Sequence, residues 1–345
     1  MTVALLLIIL VITATLPLFS KKVGDHLEPF LFVMGIAASL SSGVLTLTNI
    51  AEIFSNKLLY IITFAVLVIS FLFRFFEEKV GSLNDFLLNH LPLKAIVFIL
   101  IVGLGLLSSV ITAIVASLLL TEFVSLLPLD RKNKIRVSIT ACFSIGLGAV
   151  LTPVGEPLST IVISKLHGNF SYLSNLLGVY IVAGVFLMGI LGTFFADNAW
   201  RDKFSGNSEL IFIPEQENAK TILMRAVNIF VFVIGLDLLG NGFKPIIDTY
   251  VIHWNNTMLY LANLLSAILD NATLAVAEIS PAMTAVQIKA ILISLLVSGG
   301  MLITGNIPNI ITAGKLKITM KEWAVFAVPV GTVLLIGYYL VLFIF

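Results

Sequence analysis

Two carboxylates stand where an apolar chain does not ordinarily carry them. Glu156 lies in SIGLGAVLTPVGEPLST (144–160), bracketed by Gly155 and Pro157, and Asp270 precedes Asn271 in LLSAILDNATLA (264–275). A carboxylate at membrane depth is costly when ionised, so it persists with a partner or a task. Oxygen-bearing side chains accompany both acids. Ser108, Ser109 and Thr112 lie in LLSSVITAIVAS (106–117), Ser266 and Thr273 flank Asp270, and Thr152 precedes Glu156. Thr304, Asn306 and Asn309 lie in SGGMLITGNIPNIITAG (298–314). Hard cations take oxygen ligands from carboxylates, amides, hydroxyls and carbonyls. A desolvated carboxylate among them can exchange a proton for a cation. That is the minimum chemistry of a cation/proton antiporter, with Na+ at Asp270, Asn271 and Glu156. Glu122 and Glu278 are candidate second proton carriers. Each position also has a plainer reading: Asp270 or Asn271 as the N-cap of a helix from Ala272, Glu156 as a helix cap, the hydroxyls as packing groups.

Such residues need interrupted helices to hold them. Gly148, Pro153, Gly155 and Pro157 break the first segment, and Gly305 and Pro308 break the second. Unwound backbone exposes carbonyls to cations, and it is tolerated at membrane depth only inside protein or beside water. Apolar runs long enough to cross about 30 Å of hydrocarbon predict spans near 2–19, 28–50, 58–76, 137–166, 172–195, 221–239, 286–313 and 322–344. The first lacks a basic flank before it and is followed by Lys21 and Lys22, so it reads as a retained helix, not a signal peptide.

Residues 95–121 and 255–284 can each cross once or enter and return. If both return and the N-terminus is outside, sixteen of the 20 Lys and Arg fall on the cytoplasmic side and four outside; full crossings give ten and ten. The positive-inside bias therefore selects two re-entrant hairpins. Loops 129–136 and 196–220 are then cytoplasmic, and 240–255 external. The predicted fold is an all-α polytopic membrane protein of about eight full crossings. It is an inverted repeat with two opposed hairpins and two broken helices. Residues 1–57 form two extra N-terminal helices, 58–195 the first repeat, 196–220 a cytoplasmic linker, and 221–345 the inverted second repeat. The linkers DFLLNHLP (85–92) and DTYVIHWN (248–255) are alike, as are the two hairpin tips.

Composition excludes much else. Charged residues are 11% of the chain and mean hydropathy is +1.09, too apolar for a soluble enzyme. A net charge of +1 implies no nucleic-acid partner. Cys142 stands alone, and His26, His90, His167 and His253 lack ligand spacing. No phosphate-binding glycine loop or nucleophile elbow occurs. The chain reads as neither an enzyme nor a cofactor protein. Its partners are lipid and a small inorganic cation.

At these residues the chain resembles the ion-transporter superfamily, which includes sodium/dicarboxylate symporters, arsenite transporters and NhaD-type sodium/proton antiporters. It is also similar, across its length, to a small prokaryotic family of proposed cation transporters. Within the superfamily, GAVLTPVGE (148–156) looks like the NhaD-type GGNASPIGD, with Thr152 for Ser and Glu156 for Asp. SAILDN (266–271) is nearly the NhaD-type SAVIDN. Thr112 and Ala113 stand where that family carries a second Asp-Asn pair, so one cation-site carboxylate is replaced here, which bears on stoichiometry. Neither tip shows the Ser-Asn-Thr of the dicarboxylate branch. The resemblance implies a homodimer in a prokaryotic inner membrane, working by alternating access on Na+ or Li+ against H+. The competing expectation is Na+- or H+-coupled transport of a small carboxylate or inorganic anion. A passive channel or scaffold is disfavoured by the paired breaks.

Overall fold

The computed structural model describes residues 2–20, 23, 27–55, 59–60, 63–64, 67–68, 71, 90–196, 219–267 and 271–344. It is helical, with no strand among the described residues. The helices are α1 (Thr2–Phe19), α2 (Leu27–Ser42), α3 (Leu47–Ser55), α4 (Leu93–Ile111), α5 (Ala113–Leu126), α6 (Arg131–Ala149) and α7 (Pro157–Lys165). There follow α8 (Tyr172–Thr193), α9 (Ala219–Thr249), α10 (Asn256–Ala262), α11 (Asn271–Glu278), α12 (Ala285–Gly299), α13 (Ile307–Leu316) and α14 (Met320–Phe343). Short 3-10 turns cover Val251–His253, Asn263–Ala267 and Ile303–Gly305.

Among the described residues, four helices are long and apolar enough to cross a membrane: α4, α8, Ile222–Thr249 of α9, and α14. Shorter apolar helices lie within α1, α2, α5 and α12. Together they mark a membrane protein. At 1.5 Å per residue, α4 alone reaches about 28 Å.

Two expected spans differ from the structure. The stretch 28–50 is not one helix: α2 ends at Ser42, Gly43 adopts φ 75°, and α3 starts at Leu47. A glycine in the left-handed region closes a helix without a Cβ clash, and here Val44 N–H donates to Ser39 C=O at 3.1 Å. The span expected at 221–239 continues to Thr249, because Leu239, Phe243, Ile246 and Ile247 extend its buried stripe. The greater part of the expected span 58–76, residues 85–89 of the first linker and 197–218 of the expected cytoplasmic loop lie outside the described residues.

The centre of the molecule is built on α6 and α12. Both are buried around their whole circumference, from Val137 to Ala149 and from Ala290 to Gly299. Their starts are fixed by side-chain caps, Asp130 to the Asn133 amide and a reciprocal Thr284–Gln287 box. Helices α4 and α8 pack on α6, while α2 packs along α9, where Ser39 donates to Leu238 C=O at 2.6 Å. Both central helices stop short. The chain runs non-helically from 150 to 156 before α7, and from 300 to 306, apart from one 3-10 turn, before α13. Each short helix then packs on a distant arm: α7 against α11, and α13 against α5.

Candidate functional site

Around the first interruption, hydroxyls hold backbone to backbone. Ser108 Oγ donates to Gly105 C=O (2.6 Å) and across to Ile145 C=O on α6 (3.0 Å). Ser144 returns the contact, donating to Ile101 C=O at 2.8 Å. Gly148 makes this close approach possible, since a Cβ there would lie 1.7 Å from the Gly105 oxygen. Ser109 Oγ donates to Leu106 C=O (2.8 Å), and its own carbonyl accepts from Thr152 Oγ1. Thr112 joins α4 to α5 at φ 74°, a conformation costly for a β-branched residue. The next residue's amide, Ala113 N–H, anchors the turn by donating to Gly155 C=O at 2.8 Å.

Glu156, 6% exposed, begins α7 but makes no cap hydrogen bond to its first-turn amides. Its backbone carbonyl accepts from Ser159 Oγ at 2.7 Å. The helix-cap reading of its carboxylate is therefore not realised.

The second interruption is richer in amides. Asn309 is fully buried, and its Nδ2 donates to Gly299 C=O (2.9 Å) and Leu302 C=O (2.8 Å). Asn263, also fully buried, donates to Leu259 C=O and Glu278 Oε2, both at 2.8 Å. In each case both N–H groups are committed, and Oδ1 is shielded without a donor among the described residues. Ser298 Oγ donates to Asn263 C=O at 2.7 Å, and Ser266 Oγ to Leu295 C=O at 3.3 Å. Asn271 is buried and its Nδ2 likewise lacks a partner among the described residues. A Cβ on Gly299 would meet Gly305 O, Asn271 Nδ2 and Ser266 Oγ at 3.0–3.5 Å, so these groups converge on one spot.

Asn306 begins α13 as Glu156 begins α7, without a side-chain cap, and its amide lies against Gly146 of α6. Thr304 is half-buried in the 3-10 turn before it. Asp270 lies outside the described residues, as does the side chain of Thr273, whose backbone belongs to α11.

The structure thus gathers Ser108, Ser109, Thr112, Thr152 and Glu156 at one break. It gathers Ser266, Asn271, Asn306 and Asn309 at the other. The two meet where Cys142 of α6 touches Thr312 of α13, Sγ to Oγ1 at 3.3 Å. Glu122 stands apart, half-buried on α5. Glu278 is bound into the second set through Asn263. Sequence reasoning missed Asn263, Ser144, Ser294 and Ser298. The available signal was register, and only for one pair: Ser144 and Ser294 stand at corresponding positions of the runs 137–150 and 287–300.

Among the described residues, no three His, Cys, Asp or Glu side chains converge as a metal centre would require. What the arrangement offers instead is hydroxyl, amide and carbonyl oxygen around two short helices, with a buried carboxyl beside each set. A family model described as "Protein of unknown function (DUF1646)" matches residues 3–345. A comparison with curated proteins finds no match.

Proposed function

The chain belongs to the DUF1646 family, and we propose that it is a secondary active transporter of a small cation, exchanging Na+ or Li+ for H+ by alternating access. The observation that carries this reading is the pair of buried amide oxygens, Asn263 Oδ1 and Asn309 Oδ1. Asn309 Nδ2 faces two carbonyls, so that amide cannot be turned to hide its oxygen, and Asn263 Nδ2 faces one carbonyl and a carboxylate, which hold it the same way round while Glu278 is ionised. A buried acceptor left unsatisfied costs about 1–3 kcal/mol. A visiting cation satisfies it. In this mechanism Asp270, Asn271, Ser266 and Asn309 supply the cation's ligands, with Thr273 and Thr304 beside them. Glu156, with Thr152 and the Ser108–Thr112 turn, carries the proton-exchanging carboxyl of the other half. Glu278, held by Asn263, is the second proton carrier, and Glu122 a weaker candidate.

The proposed architecture is an inverted repeat, 58–195 and 221–345, joined by a cytoplasmic linker 196–220 and preceded by 1–57. Contacts in matching register support it. Ser144 and Ser294 each bond a hairpin-arm carbonyl, Ser108 and Ser266 each bond a carbonyl of the broken helix, and Gly148–Gly105 matches Ser298–Asn263. In this proposal α4–α5 and α10–α11 are re-entrant hairpins opening to opposite sides of a prokaryotic inner membrane. Loop 129–136 faces the cytoplasm, the N-terminus lies outside, and the protein is a homodimer. One observation favours an anion-coupled alternative: α7 and α13 both present N-termini without side-chain caps, which suits a carboxylate or inorganic anion.

Proteoliposomes holding the purified chain and a pH-sensitive dye test both. With an acidic lumen, external Na+ or Li+ should raise lumenal pH, and Asn309→Ala should abolish the response. No response to Na+, Li+ or K+ would reject cation exchange, and a response only to added anion would favour the alternative.

A further inference from the structure

A second polar centre lies away from the paired breaks. A cavity of about 730 Å³ opens between the end of α7, the C-terminal half of α9, α3 and the segment after α11. Lys165, the last residue of α7, extends into it and donates to Val276 C=O of α11 at 2.5 Å. Two aspartates, Asp237 and Asp248, line the same cavity. Asp237 is half-buried and accepts from Ser164, and Asp248 sits exposed at the mouth and accepts from Ser280 at 2.8 Å. Glu52, Lys244 and His167 also line it. Asn49 lines the same cavity, and its shielded Oδ1 accepts no hydrogen bond among the described residues.

We propose that this cavity is a second cation site, in which the Lys165 ammonium occupies the place of a monovalent cation and competes with it for Asp237, Asp248 and their oxygen neighbours. The position is furnished with two carboxylates, a backbone carbonyl and hydroxyl oxygens, the donor set hard cations take. Exchange of one ammonium for one monovalent ion leaves the cavity's charge unchanged, whereas a divalent ion would add one positive charge.

Lys165 can leave. Its stem lies across Gly240 of α9, where a Cβ would stand 2.8 Å from Lys165 Cε, so the flexible end of the side chain rests in a groove that only glycine leaves open. When the ammonium is displaced, its bond to Val276 breaks, and with it a tie between the first break's short helix and the arm carrying Asn271 and Glu278. Occupancy of this cavity thereby loosens α7 from α11.

The test is equilibrium binding of radiolabelled Na+ to the purified full chain in detergent, which needs no transport. Lys165→Met removes the competitor and should tighten binding at this site at least tenfold. Gly240→Ala, favourable for a helix, should push the ammonium aside and tighten binding in the same direction. If Lys165→Met fails to fold, Gly240→Ala decides alone. Adding Asp237→Asn and Asp248→Asn should cancel the gain, while Asn309→Ala should leave it, which separates this site from the paired breaks. Wild-type isotherms in both Lys165→Met and Gly240→Ala, with only a lowered melting temperature in the former, would make Lys165 a structural tether and overturn the proposal. So would a gain that survives loss of both aspartates.

Discussion

Ser144 and Ser294, 150 positions apart, make the same bond: each donates its hydroxyl to a carbonyl of a neighbouring arm, Ile101 at 2.8 Å and Tyr260 at 2.5 Å. The two serines sit at the same distance from the end of α6 and of α12, five residues before each helix stops. Interruption and neighbouring helix are thus tied in one register at both breaks, each of which leads into a short helix, α7 or α13, whose N-cap residue, Glu156 or Asn306, makes no side-chain cap bond.

Glu156→Gln keeps shape and hydrogen-bonding reach while removing the titratable charge. Coupled exchange in proteoliposomes should fall at least tenfold, and the protein should elute and melt as the wild type does, because a buried carboxylate tends to cost stability. Unchanged exchange would reduce Glu156 to a structural residue.

Asp270→Asn addresses the pH dependence. If one carboxylate takes either ion, protons compete with Na+, so apparent Na+ affinity weakens as pH falls through that group's pKa, by up to about tenfold per unit. The sign is fixed: protonation removes the charge that binds Na+. Asp270→Asn should lose both transport and this competition. A helix cap would tolerate the change, since Asn caps as well as Asp, and wild-type exchange in the variant would leave Glu156 as the carrier.

Two glycines in neighbouring helices should respond oppositely to alanine. At Gly148 a Cβ would meet the Gly105 backbone oxygen at 1.7 Å, and backbone on both sides cannot give way. Gly148→Ala should cost at least about 3 kcal/mol or prevent folding, as overpacking of this kind does. At Gly103 nothing lies within 4 Å. Gly103→Ala should be neutral, or stabilising by up to about 1 kcal/mol through helix propensity. Melting temperatures in detergent distinguish the two.

Topology is open to labelling. In a Cys142→Ala background, which removes the buried native thiol, Asn133→Cys should react with membrane-impermeant maleimide only after the cytoplasmic face is exposed. Reaction from outside intact cells would exclude the hairpin topology, in which α4, although long enough to cross by itself, turns back through α5.

The residues themselves carried much of this. Apolar length announced α8 and α14, and glycine and proline marked both interruptions, because backbone propensity and hydropathy are local properties. The buried polar residues of the breaks were visible as polar atoms inside apolar runs. Other features were decided only by tertiary packing. Helices α6 and α12 are buried on every side, so they carry no amphipathic stripe to show which faces meet. Asn263 reads as one polar residue in an apolar arm until folding sets it on Glu278 and under Ser298. Lys165, Asp237 and Asp248 look like three charges at element ends, where long side chains ordinarily reach for water. Lys165 stands 72 and 83 positions before the two aspartates, a separation that hides the cavity they share. Only the crossing of α7 over α11, beside α9, brings Lys165 and the two aspartates to one cavity, because packing between distant segments leaves no mark on local sequence pattern.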